Sequence, residues 1–336
     1  MAETPDDLKR LVALVQGFRS TQVTYVFAKL GLADRLAESP LTAAELAYMV
    51  KVDPEALRRV LRLAAFYGLV AEVPGDRFEL TPLGRPLCVD AEGSINATAT
   101  MLGEEHYFAW GSLMHSVKTG KPAFEHVFRL PFFDYMANNP DTQSTFDAAM
   151  SAGLAVFLKS LADSYDFSKS HVLVDVGGGN GSVSAMILKR NPAMEAVIYD
   201  QPQVLEAAER YLTAAGVRSR CRLVQGDFFR SVPEGGDLYV LSNIIHDWDD
   251  ARALRILKNC RAAMASTAVM LLIEAVLTEH GRPSPATMAD VNMMVLLTGR
   301  ERTEEQYRAL LAGAGLRLTK VSPIYEREDL IEARPL

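Results

Sequence analysis

The sequence predicts an α/β fold, a mostly parallel sheet layered with helices, preceded by a mainly helical domain that closes in a hairpin. Three observations carry it. From about Phe167 onward, strand-length apolar runs alternate with amphipathic helical segments, the pattern of a parallel sheet. The run His171–Val174 feeds straight into Asp175-Val176-Gly177-Gly178-Gly179-Asn180-Gly181, a glycine-rich turn between a buried strand and a helix. Such a turn brings backbone N–H groups and a helix N-terminus up to a nucleotide-like ligand. The first ~90 residues, by contrast, carry helical spacing and then one hairpin.

Taken in order, apolar positions at helical spacing run from Leu8 to Leu36, including Leu11, Leu14, Val15, Phe18, Val23 and Phe27. Thr42 with Glu45 forms a capping box that opens a helix over Ala43–Val50. Asp53-Pro54 starts the next, an N-cap followed by proline at the first helical position, and Gly68 suits its C′ residue. Two short β segments, 69–73 and 77–80, flank the turn Pro74-Gly75-Asp76. Helix, helix and hairpin in this order read as a winged helix within a first domain, residues 1–95. Residues 96–165 read as a helical linker rich in Met and aromatics, mostly core, with some side chains available to line a pocket for a flat apolar molecule. The remaining domain, 166–336, offers strands at Val172–Val176, Ala196–Tyr199, Arg222–Gln225, Leu238–Ser242, Ala268–Ile273 and Leu316–Val321, with Tyr325–Ala333 as a hairpin partner. Helices fall near Ser182–Arg190, Gln203–Ala215, Asp250–Met264 and Thr303–Gly313, the last opened by the capping box Thr303/Gln306.

Composition narrows the classes. The 336 residues, 49% hydrophobic and 23% charged, suffice for two globular domains. A net charge of −7 gives no electrostatic basis for binding nucleic acid or an anionic membrane. Cys88, Cys221 and Cys260 are scattered, with no metal-ligand spacing, so no metal is expected and a reducing compartment is. The polar, acidic start is unlike a secretory leader, and no window approaches ~20 uninterrupted apolar residues. A cytoplasmic protein is the expectation.

The glycine loop alone does not name its ligand. Gly177 and Gly179 fit a dinucleotide fingerprint, but its third glycine is replaced by Ser182. Charge separates the candidates. Asp175, Asp200 and Asp227 stand at or just past three successive strand ends, the edge where open α/β sheets bind ligands. Asp200 suits ribose hydroxyls, a role common to NAD and S-adenosylmethionine. Asp175 beside the loop would repel a pyrophosphate and suits an ammonium or sulfonium. Asp227-Phe228 offers an acceptor for an adenine amine and a ring for its face. The set favours S-adenosylmethionine over a dinucleotide.

The chemistry is expected at His246, in Ser242-Asn243-Ile244-Ile245-His246-Asp247-Trp248, which follows the fourth strand on the same edge. Methyl transfer from a sulfonium to a phenol needs in-line approach and an oxyanion. A phenol of pKa near ~10 supplies little of it at neutral pH, so a neutral imidazole within reach suits the task. Glu274, ending the fifth strand, and Glu301, just before a helix, are each placed to accept from the other ring nitrogen and fix the tautomer.

Asp175–Gly181, Gly226–Phe229, His246–Trp248, Glu274 and Gly299–Thr303, with Thr119–Glu125 and the N-terminal winged helix, together resemble the S-adenosylmethionine-dependent O-methyltransferases of small hydroxylated aromatics, over nearly the whole chain. These include plant phenolic, acetylserotonin, and bacterial polyketide and phenazine enzymes. The resemblance implies a Rossmann-like class I methyltransferase domain, with a mostly parallel seven-stranded sheet, behind a winged-helix dimerisation domain. It implies His246 as general base flanked by Glu274 and Glu301. Gly177, Gly179, Asp200, Asp227 and Phe228 would surround the cofactor, with Ser242 and Asn243 near its methionine end. Met150, Asn292 and Met293 match acceptor-contacting positions, and the partner is a second copy whose N-terminal helices interlock and help close the pocket. Two departures stand out. Ser242 and Asn243 occupy positions where plant members usually carry Lys and bacterial members often carry Arg, and the Asp290–Glu301 segment is one residue shorter than in plant enzymes.

Two other functions remain open at this level. A winged-helix transcription factor with a nucleotide-sensing domain would concentrate basic residues on its wing and recognition helix. Between Thr42 and Asp90, however, six basic residues meet seven acidic ones. A family member that has lost methyl transfer, that uses the cofactor for decarboxylation or hydroxylation, or that methylates nitrogen, carbon or a carboxyl group would carry the same motifs, though His246 with both glutamates argues against loss.

Overall fold

The computed structural model describes residues 5–151, 154–278, 284–325 and 328–336. The chain forms two compact units, one of residues up to Leu113 with Phe124–Leu154, the other of Met114–Ala123 with Ala155–Leu336.

The first unit opens with a helix over Pro5–Lys29, closed at Gly31 in the left-handed conformation (φ 61°) before a short helix Leu32–Glu38. The local signals act as read. Thr42 caps Ala43–Val50 by accepting from the Glu45 N–H, while Glu45 accepts from the Thr42 N–H. Asp53 accepts from Ala56 N–H at the start of Pro54–Phe66. Strands β1 (Leu41–Thr42), β2 (Val70–Val73) and β3 (Arg77–Leu80) then make a three-stranded antiparallel sheet in the order β1-β3-β2. This is a winged helix, with a core built on Phe27, Leu32, Leu46, Leu61 and Phe78. The middle segment adds a ring cluster in the same unit: Phe124 lies 5.0 Å from Phe132 and 4.6 Å from Phe128, and both Phe124 and Phe132 are buried. Those two rings are core. Most of the amino-terminal half of the long helix stays uncovered: Leu11, Leu14, Val15 and Phe18 are each more than half exposed.

The second unit is built on β4 (Val172–Val176), β5 (Glu195–Asp200), β6 (Cys221–Gln225), β7 (Leu238–Ser242), β8 (Val269–Leu277), the two-residue β9 (Arg302–Thr303), β10 (Leu316–Tyr325) and β11 (Glu328–Pro335). Seven strands run in the order β10-β11-β8-β7-β4-β5-β6. The pairs from β8 to β6 are parallel, and β11 is antiparallel to both β8 and β10. Alternation places Val174, Tyr239, Leu241, Met270 and Leu272 in one face's core and Leu173, Val240, Leu271 and Ile273 in the other. The α/β sheet, its hairpin edge and the winged helix are those expected from sequence.

One boundary differs in a way that matters. The fifth parallel strand was expected to end near Ile273 with Glu274 at its tip; instead β8 continues to Leu277. β11 zips along it on one side, opposing Asp329 to Glu274, and β9 pairs parallel with its last two residues, Val276 to Arg302. Glu274 is therefore inside a strand, on the face of Met270 and Leu272, and fully buried.

Candidate active site

The parallel strands deliver their carboxyl ends to one edge. At β4 the chain turns through Gly177 and Gly179, both with positive φ (70° and 57°). A Cβ at Gly177 would overlap the Ile244 side chain, so the loop passes directly over the turn that follows β7. At Gly179 the same test meets nothing within 4 Å, leaving open space against the backbone. Asp200, the last residue of β5, accepts from Gly179 N–H (2.8 Å) and Gln201 N–H (2.7 Å), and burial pushes its carboxyl up. Asp175 lies beneath the loop rather than at its mouth. Its Oδ2 accepts from the Ser184 hydroxyl (2.6 Å), and burial raises it to about 6. The sequence-based reading of Asp175 as a partner for a sulfonium or ammonium does not fit this placement, because its side chain is buried on the face of Leu173, against the helix Ser182–Arg190. Asp227 bonds back to Phe229 N–H (2.8 Å), and Phe228 closes the loop's other flank beside Gly177. Ser242 ends β7, and Asn243 turns the chain with φ 54°, its N–H donating to Ile273 O (2.9 Å).

That turn carries His246. Glu274 uses its two oxygens separately: Oε1 accepts from Ile244 N–H (3.2 Å) and Ile245 N–H (2.7 Å), while Oε2 faces His246 Nδ1 at 3.2 Å. Glu301 Oε1 stands 3.1 Å from the same nitrogen. One N–H cannot point at two carboxylates, so Nδ1 sits between them rather than making one linear bond. Glu301 is brought there by β9, and its N–H is anchored on Asp290 Oδ1 (3.0 Å). Asp247 Oδ1 lies 3.4 Å from Nε2.

The electrostatics follow from crowding. Burial alone would lower the imidazole pKa, but the Glu274 charge, the contact with Glu301 and the Asp247 charge outweigh it and raise it to about 10. The two buried carboxylates thus favour the protonated ring over the neutral one. Burial, reinforced by Glu301, raises Glu274 to about 7, and burial raises Asp247 to about 6. The group also has the make-up of a cation site, with ligand atoms of His246, Glu274 and Glu301 within 4.8 Å of one another.

Of the acceptor candidates, Asn292 and Met293 are half-buried on the helix Pro285–Leu296, and Met293 shares a face with Asp290, the residue holding Glu301. Met150 belongs to the first unit, where it is 51% exposed. Sequence reasoning missed the part played by Arg302, whose side chain is buried (1% exposed) with its guanidinium on the His246 turn. It also missed Gly299, where a Cβ would overlap the His246 carbonyl. Both lie in a segment singled out for Glu301, yet neither has a periodicity that announces burial.

A glycine-rich loop and an imidazole between carboxylates, on one edge of such a sheet, are the arrangement of a Rossmann-like methyltransferase. Residues 110–317 match the model of the O-methyltransferase domain and residues 12–90 that of the O-methyltransferase dimerisation domain, and the chain belongs to this family. It is 39% identical over 326 residues to the phenazine O-methyltransferase PhzM of Lysobacter antibioticus, covering 97% of this chain and 96% of that one. It is 37% identical to the 8-amino-8-demethylriboflavin N,N-dimethyltransferase of Streptomyces davaonensis, with 93% and 91% covered. Among solved structures it is similar to the O-methyltransferase NcsB1 of neocarzinostatin biosynthesis in complex with S-adenosylmethionine and 2-hydroxy-5-methyl naphthoic acid (TM-score 0.86, 30% identity, 95% and 96% covered). S-adenosylmethionine is the methyl donor of the family, and the open cradle at Gly179 beside Asp200 fits a nucleoside. Among the described residues no helix is long and apolar enough to cross a membrane.

Proposed function

We propose that this protein methylates a hydroxyl of a small aromatic secondary metabolite, with His246 as the general base and Glu274 and Glu301 as its orienting carboxylates. The observation that carries the reading is the position of Nδ1, 3.2 and 3.1 Å from two buried glutamates; Nε2, with Asp247 Oδ1 at 3.4 Å, is then the nitrogen proposed to meet the acceptor. S-adenosylmethionine, when bound, supplies an electrophilic methyl on a sulfonium. The chain's own work is to hold the acceptor and take its proton. An imidazole of pKa about 10 matches an ordinary phenol, so the proton transfer itself is near balance; the neutral ring that accepts the proton is the minor form at pH 7, and the rate is expected to rise with pH towards 10. Gly177, Gly179, Asp200, Asp227 and Phe228 would hold the nucleoside, Ser242 and Asn243 the methionine end, and Met150, Asn292 and Met293 the acceptor. The exposed apolar row on the first helix, within the matched dimerisation domain, supports a homodimer.

One relative is named as an N,N-dimethyltransferase, and the same base could take a proton from an amine, so the oxygen preference needs its own test. Matched aromatic acceptors, one bearing a hydroxyl and one an amine at the same position, are compared by S-adenosylhomocysteine release. The hydroxyl compound is expected to turn over faster; a preference for the amine would overturn O-methylation.

A further inference from the structure

Arg302 stands outside the set His246, Glu274 and Glu301, yet it is one of the most deeply buried side chains in the molecule. Its five N–H donors have five acceptor contacts. Nε and Nη2 donate to Asp250 Oδ1 (3.0 and 2.9 Å), Nη2 also to Trp248 O (2.8 Å), and Nη1 to Ile245 O (3.1 Å) and Arg300 O (3.3 Å). Ile245 and Trp248 bracket His246-Asp247, so one planar group grips the base's turn by the carbonyls at both ends. Glu274 holds the N–H groups of that same turn from the other side.

From this geometry we propose that Arg302 is the positioning residue of the base: it clamps the His246 turn so that Nδ1 stays between the two glutamates. The inference rests on the proposed role of His246. Two features fit a positioning role better than general packing. Arg302 pairs with Val276 through β9, so the clamp is built on the strand that carries Glu274, and base and carboxylates share one frame. Asp250, which is also paired with Arg300, neutralises the guanidinium; although burial opposes it, the contacts with Arg302 and Arg300 keep the Asp250 carboxyl below its usual range. Arg302 therefore directs its charge to Asp250 and the carbonyls, which leaves Glu274 and Glu301 to face the imidazole. A lysine could not reproduce this, since its three donors radiate from one point.

The test compares Arg302→Gly, Arg302→Lys and Asp250→Asn with the parent. In Arg302→Gly we expect kcat to fall about 10²-fold, the order that an ångström of misplacement costs. The KM for S-adenosylmethionine should change little, and the acid limb of the kcat–pH profile should move to lower pH as the imidazole slips from its carboxylates. Added guanidinium at tens of millimolar should restore much of kcat and return the limb. Arg302→Lys and Asp250→Asn should show smaller shifts in the same direction, which keeps the test informative if the glycine variant does not fold. A parental pH limb in all the soluble variants, whatever their melting temperatures, would assign Arg302 to packing alone and overturn the proposal. His246→Ala separates the two readings: a fully active His246→Ala sinks the base assignment, whereas an inactive one beside Arg302 variants with parental limbs sinks only the clamp.

Discussion

Glu274 divides its carboxylate between the backbone of the His246 turn and the buried imidazole nitrogen, while Glu301 turns Oε1 to the same nitrogen. The consequence is a histidine raised to about 10, protonated below that value and neutral above it. Selective ¹⁵N labelling of histidine rings would show this directly. One ring should keep both nitrogens protonated through pH 8 and titrate near 10, and in Glu301→Gln that midpoint should fall because a carboxylate has become a neutral amide. A lone titration near the ordinary histidine value in both proteins would mean that the carboxylates do not act on it. That His246, Glu274 and Glu301 would meet was legible, from residue type beside two strand ends and just before a helix. The charge state was not, because it depends on how closely three side chains distant in sequence are pressed together without water.

At the scale of elements, the site depends on two short pieces of chain. β9 is only two residues long, yet its pairing with the end of β8 sets Glu301 beside Glu274. Gly299, just before it, lies flat on the backbone of His246 and Asp247. Gly299→Ala is expected to push this loop off the turn, with an overpacking cost of about 1–3 kcal/mol. Activity should fall further than the loss of stability explains, while cofactor affinity, proposed to be set at the glycine loop, stays near the parent's. Calorimetric cofactor titration beside kcat would check it; equal losses in both would point to general unfolding. The longer elements were readable because caps and periodicity are local, as at Thr42, Asp53 and Thr303. The extension of β8 was not, because Glu274 breaks the apolar run, and only its neighbours β9 and β11 show that the strand continues.

At the scale of the whole molecule, the first unit carries a winged helix of balanced charge and, on its first helix, an uncovered apolar row, the composition of a surface that meets another protein. The proposed homodimer places a second copy there. Leu14→Lys with Val15→Asp should convert the species seen by light scattering from dimer to monomer, with both units still folded by circular dichroism; an unchanged mass would place the interface elsewhere. The two-domain character was visible in the shift from helical spacing to alternating strands and helices near Phe167. The grouping of residues 114–123 with the second unit and of 124–154 with the first was not, since a helical linker carries no local mark of the core it joins.

The role of His246 is tested most directly by methyl transfer from His246→Ala to two phenols of similar shape, one ordinary and one acidic enough to be ionised at neutral pH. A general base matters only where a proton remains to be removed. Transfer to the ordinary phenol should fall about 10²–10⁴-fold, and transfer to the ionised one should fall far less. Equal losses on both, or no loss on either, would contradict the assignment of His246 as the base.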